Sequence, residues 1–171
     1  MSQVHGDNVV LLDQQPDETP VADALITANP DLALVVMVAD CIPLLLQSEK
    51  LVAAVHVGRA GLMNSIAIKT VIKMREFGAT RISGLVGPSI CGTCYEVPQD
   101  LHDQVVEQYP LASSKTKIGT PALDLAKALN AALAKVDVHV LNSEVCTLED
   151  ENYFSFRRNK VTGRQAGVIK L

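Results

Sequence analysis

Among the side chains suited to binding a metal, Cys41 and His56 each sit where an apolar run gives way to polar or glycine-containing sequence, and His5 sits in a turn of its own. Cys41 and its neighbour Asp40 close the run in Met37-Val38-Ala39-Asp40-Cys41-Ile42-Pro43, and His56 ends the run in Ala53-Ala54-Val55-His56-Val57-Gly58. His5 lies far back, in Val4-His5-Gly6-Asp7. Two neighbouring strands would bring Cys41 and His56 to the same end of a sheet, and the His5 turn would complete a trio. Catalytic zinc sites take three protein ligands from His, Cys or carboxylate and keep one position open. Such an ion lowers the pKa of bound water and polarises substrate. The expectation is therefore that His5, Cys41 and His56 hold one metal ion with an open coordination position. Spacings of thirty-six and fifteen positions form no compact motif, and a small buried cysteine or a core histidine is the ordinary alternative for each ligand. Asp40 is expected to orient a ligand histidine or to act as a base, with a plain turn role as its alternative.

Other reactive side chains rank lower. Arg157, Arg158 and Arg164 are candidates for forked hydrogen bonds to an anionic substrate, with a solvated surface position as the alternative, above all for Arg158. Cys91-Gly92-Thr93-Cys94 is a lone C-x-x-C with no second pair in sequence to complete a zinc knuckle. It is read as a packed loop rather than a redox or metal motif. His102 and His139 are read as having no role.

Hydrophobic period indicates the elements that must position these groups. Val9–Leu12 reads as a short strand, and residues 23–27 are ambiguous. Leu32–Ala39 is a continuous valine-rich run, the pattern of a strand covered on both faces. Pro43 limits the next segment to an edge or a bend, although Leu44-Leu45-Leu46 can resume as a strand. Leu51–Val57 is a second buried strand. From Leu62 to Phe77 apolar residues recur at helical spacing at Met63, Ala67, Val71 and Met74, and Gly78 suits the position just past a helix end. Ile82–Val86 is a strand, and Pro98 to Tyr109 a helix stopped by Pro110. Ala122–Lys135 is a helix whose core side is Leu125, Leu129 and Leu133. Val136, Val138 and Val140 alternate as a half-buried strand, and Phe154–Arg158 and Ala166–Lys170 read as two closing strands. Because strands and helices do not alternate strictly, the fold class expected is α+β, with mixed β-sheets in a layered sandwich flanked by helices.

Bulk properties narrow the function. The 171 residues predict one domain with a full core. A hydrophobic fraction of 48% against 20% charged residues excludes disorder. A net charge of −4 gives no basic surface for nucleic acid or anionic membrane. No apolar run approaches the roughly 18 residues of a membrane span, and the N-terminus has no signal-peptide pattern. Four scattered cysteines do not make a disulfide scaffold. The expected setting is the cytoplasm, with reduced thiols.

A set of segments, taken in chain order, carries a resemblance. These are Gln3-Val4-His5-Gly6, Asp23 with Leu25-Ile26-Thr27, Val38-Ala39-Asp40-Cys41, Ala54-Val55-His56, Gly87-Pro88-Ser89-Ile90, Cys94-Tyr95-Glu96-Val97, Leu123-Asp124-Leu125, Cys146-Thr147 and Thr162-Gly163-Arg164-Gln165-Ala166-Gly167. From Gln3 to Ile169 the chain resembles the YfiH, or laccase-domain, family of purine nucleoside phosphorylases, formerly called multicopper polyphenol oxidases. The resemblance implies one domain over residues 1–171, without the several dozen residues that usually precede the Gln-Val-His-Gly segment. It implies a layered α+β sandwich and a zinc ion, with copper as the second choice, on His5, Cys41 and His56. It implies phosphorolysis of adenosine, inosine, guanosine and methylthioadenosine, plus adenosine deamination, with purine nucleosides and phosphate as partners; the sequence leaves the oligomeric state open, with a monomer the expectation. Where the family reads His-Ala-Gly-Trp-Arg-Gly, this chain has His56-Val57-Gly58-Arg59-Ala60-Gly61, which makes Arg59 a substrate-binding candidate beside Arg164. Cys41, His56 and Asp40 are the catalytic candidates. The alternatives are a cysteine hydrolase acting through a Cys41–His56 dyad, including peptidoglycan-precursor editing, and a metal-binding homologue with impaired catalysis. A copper laccase-like oxidase ranks last, because it needs more ligands than these three.

Overall fold

The computed structural model describes all residues, 1–171. Its centre is a mixed six-stranded sheet. The strands are β1 (Val9–Leu12), β2 (Ala24–Thr27), β4 (Ile42–Gln47), β5 (Val52–Val57), β6 (Ser83–Val86) and β9 (His139–Asn142), in the spatial order β1-β2-β5-β4-β6-β9. The outer pairs β1–β2 and β6–β9 are parallel, and the inner pairings are antiparallel. A second, two-stranded antiparallel sheet joins β3 (Leu34–Val38) to β10 (Gln165–Ile169). A small hairpin joins β7 (Ser113–Lys115) to β8 (Pro121–Leu123). The helices are α1 (Arg59–Met63), α2 (Ile66–Glu76), α3 (Gln99–Gln108), α4 (Leu125–Ala134) and α5 (Phe156–Asn159). This is the expected α+β class with mixed sheets.

Strand parity explains the layers. Successive side chains of a strand point to opposite faces. On β5, Ala53, Val55 and Val57 join the large core shared with Val71, Met74 and Leu129 of the helices, whereas Val52 and Ala54 join a smaller core with Leu34, Val36 and Val38 of β3. Every residue of β5 is therefore buried. The six-stranded sheet is the middle of three layers, with helices on one side and the β3–β10 ribbon on the other.

Several sequence expectations need correction. β3 is covered on one face only: Leu34, Val36 and Val38 are buried, while Val35 and Met37 are exposed. A run of valines satisfies a two-faced and a one-faced strand equally well. β4 continues through Pro43 as an interior strand. His56 directs its N–H to Asp23 of the neighbouring chain segment rather than to the opposed Pro43, and pairing with β6 begins only at Leu44. The Gly87 N–H, just past β6, donates to the Pro43 carbonyl at 3.0 Å, so the missing proline donor falls at the end rung of the β4–β6 pairing. The single helix expected over Leu62–Phe77 is two. Ser65 takes a left-handed conformation at φ 59°, and the Tyr109 hydroxyl donates to the Leu62 carbonyl at 2.8 Å where α1 ends. The helix expected from Ala122 begins at Leu125, because residues 121–123 pair in the β7–β8 hairpin and Asp124 caps the helix by accepting from the Lys127 N–H at 2.9 Å. Phe154–Arg158 is not a strand. Ser155 caps α5 by accepting from the Arg158 N–H at 3.2 Å, so a capping serine outweighs an alternating pattern.

Gly84 lies where β6 runs close against β4, since a Cβ placed there would lie 2.4 Å from the Leu45 carbonyl oxygen. Backbone must move to admit it, so Gly84→Ala is expected to lower unfolding free energy by about 1–3 kcal/mol, read as a reduced urea midpoint at constant slope. An unchanged midpoint would refute this close approach of β4 and β6.

Candidate metal centre and cleft

Three adjacent strands deliver their end residues to one place. Register pairs Ile42 with Val57 and Pro43 with His56, so Cys41, immediately before β4, lies at the His56 end of β5. On the other side Ala24 pairs with Val55, which puts Asp23 beside His56. His56 shares the parity of Val52 and Ala54 and so points to the β3–β10 side of the sheet. The N-terminal segment is laid across this end by a Ser2–Val21 bridge. The Gln3 side chain also pairs with Met37 like a strand neighbour, donating to its carbonyl at 2.8 Å and accepting from its N–H at 2.9 Å.

Asp23 ties these pieces together. The residue is fully buried. Its Oδ1 accepts from the His5 N–H at 3.0 Å and from His56 Nδ1 at 2.7 Å, and its Oδ2 accepts from the Val4 N–H at 3.2 Å and the Gly6 N–H at 2.7 Å. Burial alone would raise its pKa. The His56 bond and the Gly6 and Val4 N–H groups outweigh burial and hold the carboxyl below its ordinary value. The same contacts hold His5 at φ 59°, a left-handed conformation that a side-chain-bearing residue adopts only when its surroundings impose it. Sequence reasoning assigned the orienting of histidine to Asp40 and passed over Asp23. The available signal was an acid in an otherwise apolar stretch, directly before a strand that could place it against His56.

With Nδ1 engaged, His56 turns Nε2 toward its neighbours. The ligand atoms of His5, Cys41 and His56 all lie within 4.8 Å of one another. Cys41 Sγ is 3.9 Å from His5 Nε2, and the two imidazoles meet edge to face with centroids 4.8 Å apart. Gly58 makes room: a Cβ there would lie 3.0 Å from Cys41 Sγ and 3.2 Å from His5 Cδ2. Burial, followed by the charge of Asp40, pushes the Cys41 thiol up to about 11, with Arg164 opposing. Burial lowers the His56 pKa despite the Asp23 bond, and His5 lowers it further. A neutral imidazole, and a thiolate formed when a soft cation takes the place of the thiol proton, are the donor forms a zinc site needs.

The trio sits on a cleft of about 660 Å³ whose wall includes Met37, Tyr95, Phe156, Arg157 and Arg164. Asp40 lines it too, with both carboxylate oxygens engaged: Oδ1 accepts from the Thr147 hydroxyl at 2.8 Å, and Oδ2 from the Arg157 N–H at 2.7 Å. Asp40 holds φ 88°. Arg157 stacks over Tyr95 at 4.8 Å and donates to the Glu96 carbonyl at 2.8 Å. Arg164 donates to the carbonyls of Thr162 and Gly163. Arg158 is turned inward onto the carbonyls of Thr147, Leu148 and Tyr153. Arg59 begins α1 and is not among the cleft-lining residues. Cys91 and Cys94 do not stand alone as a packed loop, because Cys146 and Glu149 converge on them.

The sequence and fold have counterparts among known proteins. A family model described as multi-copper polyphenol oxidoreductase laccase matches residues 1–171. The purine nucleoside phosphorylase of Streptomyces coelicolor is 42% identical over 178 aligned positions, covering 100% of this chain and 74% of that protein. The purine nucleoside phosphorylase of Corynebacterium glutamicum is 41% identical, covering 100% of this chain and 73% of its own length. The crystal structure of the Bacillus licheniformis protein YfiH superimposes with a TM-score of 0.86 at 26% identity, over 99% of this chain and 72% of that one. With its whole length matched by the family model and its fold shared with a solved member, this chain belongs to the laccase-domain family that includes YfiH.

Proposed function

We propose that this chain is a zinc-dependent purine nucleoside phosphorylase, acting on adenosine, inosine, guanosine and methylthioadenosine with phosphate, and also deaminating adenosine. The observation that carries this reading is the His5–Cys41–His56 trio, oriented by Asp23 and open to a cleft that also holds two arginines. The names of the Streptomyces and Corynebacterium relatives support the phosphorylase part. A cleft of about 660 Å³ is in the range that takes a small organic ligand.

The residues divide the work. His5, Cys41 and His56 are the ligands for the ion, which when bound supplies Lewis-acid polarisation of an oxygen or nitrogen brought against it. Asp23 keeps the His56 proton on Nδ1, so that Nε2 always presents its lone pair. Met37, Tyr95 and Phe156 offer apolar surface for a purine. Arg157 and Arg164 present guanidinium groups to phosphate, and planar forked donors suit that anion. Asp40 acts through position: it holds the Arg157 backbone and Thr147, which fixes the wall carrying the guanidinium.

A cysteine hydrolase is the second reading, favoured by one feature. Cys41, His56 and Asp23 stand in the order of a nucleophile, a base and its orienting acid. Against it, the Cys41 thiol is pushed up to about 11, which leaves little thiolate near neutral pH without a cation to replace the proton.

The deciding experiment is inosine turnover with and without phosphate, before and after chelation. The expected result is phosphate-dependent release of hypoxanthine that chelation abolishes and added zinc restores. Turnover that ignores both phosphate and chelator but stops on alkylation of Cys41 would establish the hydrolase instead. Asp23→Asn is expected to weaken zinc binding about 10–100-fold, measured by competition with a chromophoric chelator. Wild-type affinity in that variant would remove Asp23 from the site. Arg164→Ala is expected to reduce kcat/KM for phosphate by about 10–100-fold, the worth of one hydrogen bond to a charged group, with the KM for inosine little changed. Equal loss for both substrates would argue that Arg164 supports the loop rather than phosphate.

A further inference from the structure

A second group of metal-binding side chains lies outside the trio and shares no residue with it. The ligand atoms of Cys91, Cys94, Cys146 and Glu149 all lie within 4.8 Å of one another, and all of the cysteines are free thiols. In sequence these residues form two pairs of identical spacing, Cys91-x-x-Cys94 and Cys146-x-x-Glu149. The backbone treats them identically. The Cys91 carbonyl accepts the N–H groups of both Cys94 and Tyr95, each at 3.0 Å. The Cys146 carbonyl accepts those of Glu149 and Asp150, at 3.2 and 3.0 Å. Each pair is thus one tight turn that places its first and third-following side chains on the same side. The turns are then held face to face. Ser89 and Cys146 form a parallel bridge, the Thr147 N–H donates to the Ser89 carbonyl at 3.1 Å, and the Cys91 N–H points at Cys146 Sγ at 3.3 Å. A backbone N–H directed at a cysteine sulfur stabilises that sulfur as a thiolate. Lys117 Nζ donates to Glu149 Oε1 at 2.6 Å, placing a positive charge beside what would be an anionic cluster.

We propose that Cys91, Cys94, Cys146 and Glu149 form a structural zinc site that staples the two turns together. Paired turns, three sulfurs and one carboxylate give the closed four-ligand set of a structural ion. Zinc–sulfur bonds of about 2.3 Å in a tetrahedron place sulfurs about 3.8 Å apart, so the ligands need to close by at most about 1 Å. Binding transfers three thiol protons to water and forms three zinc–sulfur bonds and one zinc–oxygen bond, with no change of oxidation state. The consequence reaches the cleft. Tyr95 and Glu96, which follow Cys94, carry the Arg157 guanidinium, and Thr147, which follows Cys146, holds Asp40 and accepts from Arg158. The ion would lock both turns that support the arginine wall.

The test uses the full chain prepared under reducing conditions, in a Cys41→Ser background and, in parallel, a His5→Ala background, so that the trio contributes no tight site. Both are expected to retain one zinc per chain by elemental analysis. With cobalt in place of zinc, both are expected to give intense near-ultraviolet sulfur-to-cobalt charge transfer and tetrahedral visible bands. Adding Cys91→Ser or Cys94→Ser is expected to lose that equivalent and weaken the charge-transfer band. Glu149→Gln, at a partly exposed position, is expected to retain the three-sulfur charge transfer but shift the visible bands. Circular dichroism confirms that each variant is folded. The proposal is overturned if the two background variants bind no zinc or cobalt, or if the bound metal is indifferent to Cys91 and Cys94. Failure of the inosine assay with these signals intact would sink the catalytic reading and leave this site standing.

Discussion

One buried carboxylate holds the site together. Asp23 has no exposed surface, yet it accepts four hydrogen bonds, three from consecutive backbone N–H groups of the N-terminal segment and one from His56. A buried carboxylate without partners would be protonated or would disrupt its surroundings. Here its desolvation is offset by donors that are themselves fixed, since Val4, His5 and Gly6 curl around it and His56 belongs to the fully buried β5. The exchange is mutual. The segment gains an anchor that sets His5 in a left-handed conformation, and His56 gains a fixed tautomer. A residue near the chain's beginning and one in the middle of the central sheet are thereby placed in contact by a group that is itself fully buried.

The rest of the architecture serves that junction. β5 is buried on both faces because helices cover one side and the β3–β10 ribbon the other, so the end carrying His56 has little freedom to move. Cys41 precedes β4 at the same end, and Pro43 follows two residues later at the end rung of the β4–β6 pairing, where the Gly87 N–H donates to its carbonyl. The break between α1 and α2, held by Tyr109 on the Leu62 carbonyl, lets the chain leave β5 at Gly58 and still lay α2 along the sheet. Gly58 itself leaves the space that the Cys41 sulfur and the His5 ring occupy.

Asp40, beside the Cys41 thiol, is tied into the structure of the cleft. Both of its oxygens are committed to the cleft wall, one to Thr147 and one to the Arg157 backbone. The wall is therefore connected to the strand end that bears the thiol. Arg158, folded inward onto carbonyls, and Arg157, stacked on Tyr95, divide the labour of neighbouring arginines between building the wall and facing the cleft.

What the sequence determined by itself is what hydrophobic period and residue chemistry can encode locally. The buried run of β5, the helices around Val71, Val105 and Leu129, the α+β class, and the convergence of His5, Cys41 and His56 were all legible, the last strengthened by ordered family segments. What it did not determine was anything set by a partner distant in the chain. Whether β3 was covered on one face or two depended on what packed against it, and only the face toward β5 found a partner. Whether Phe154–Arg158 was strand or helix depended on which bond Ser155 made. The orienting acid was Asp23 rather than Asp40 because strand register, absent from any local pattern, put β2 beside β5. The C-x-x-C looked solitary because its complement, Cys146 and Glu149, lies about fifty residues further along the chain, and only the bridge at Ser89 brings it near. Local propensity chooses elements, but which side chains meet is settled by sheet order and by the burial of groups that must find hydrogen-bonding partners.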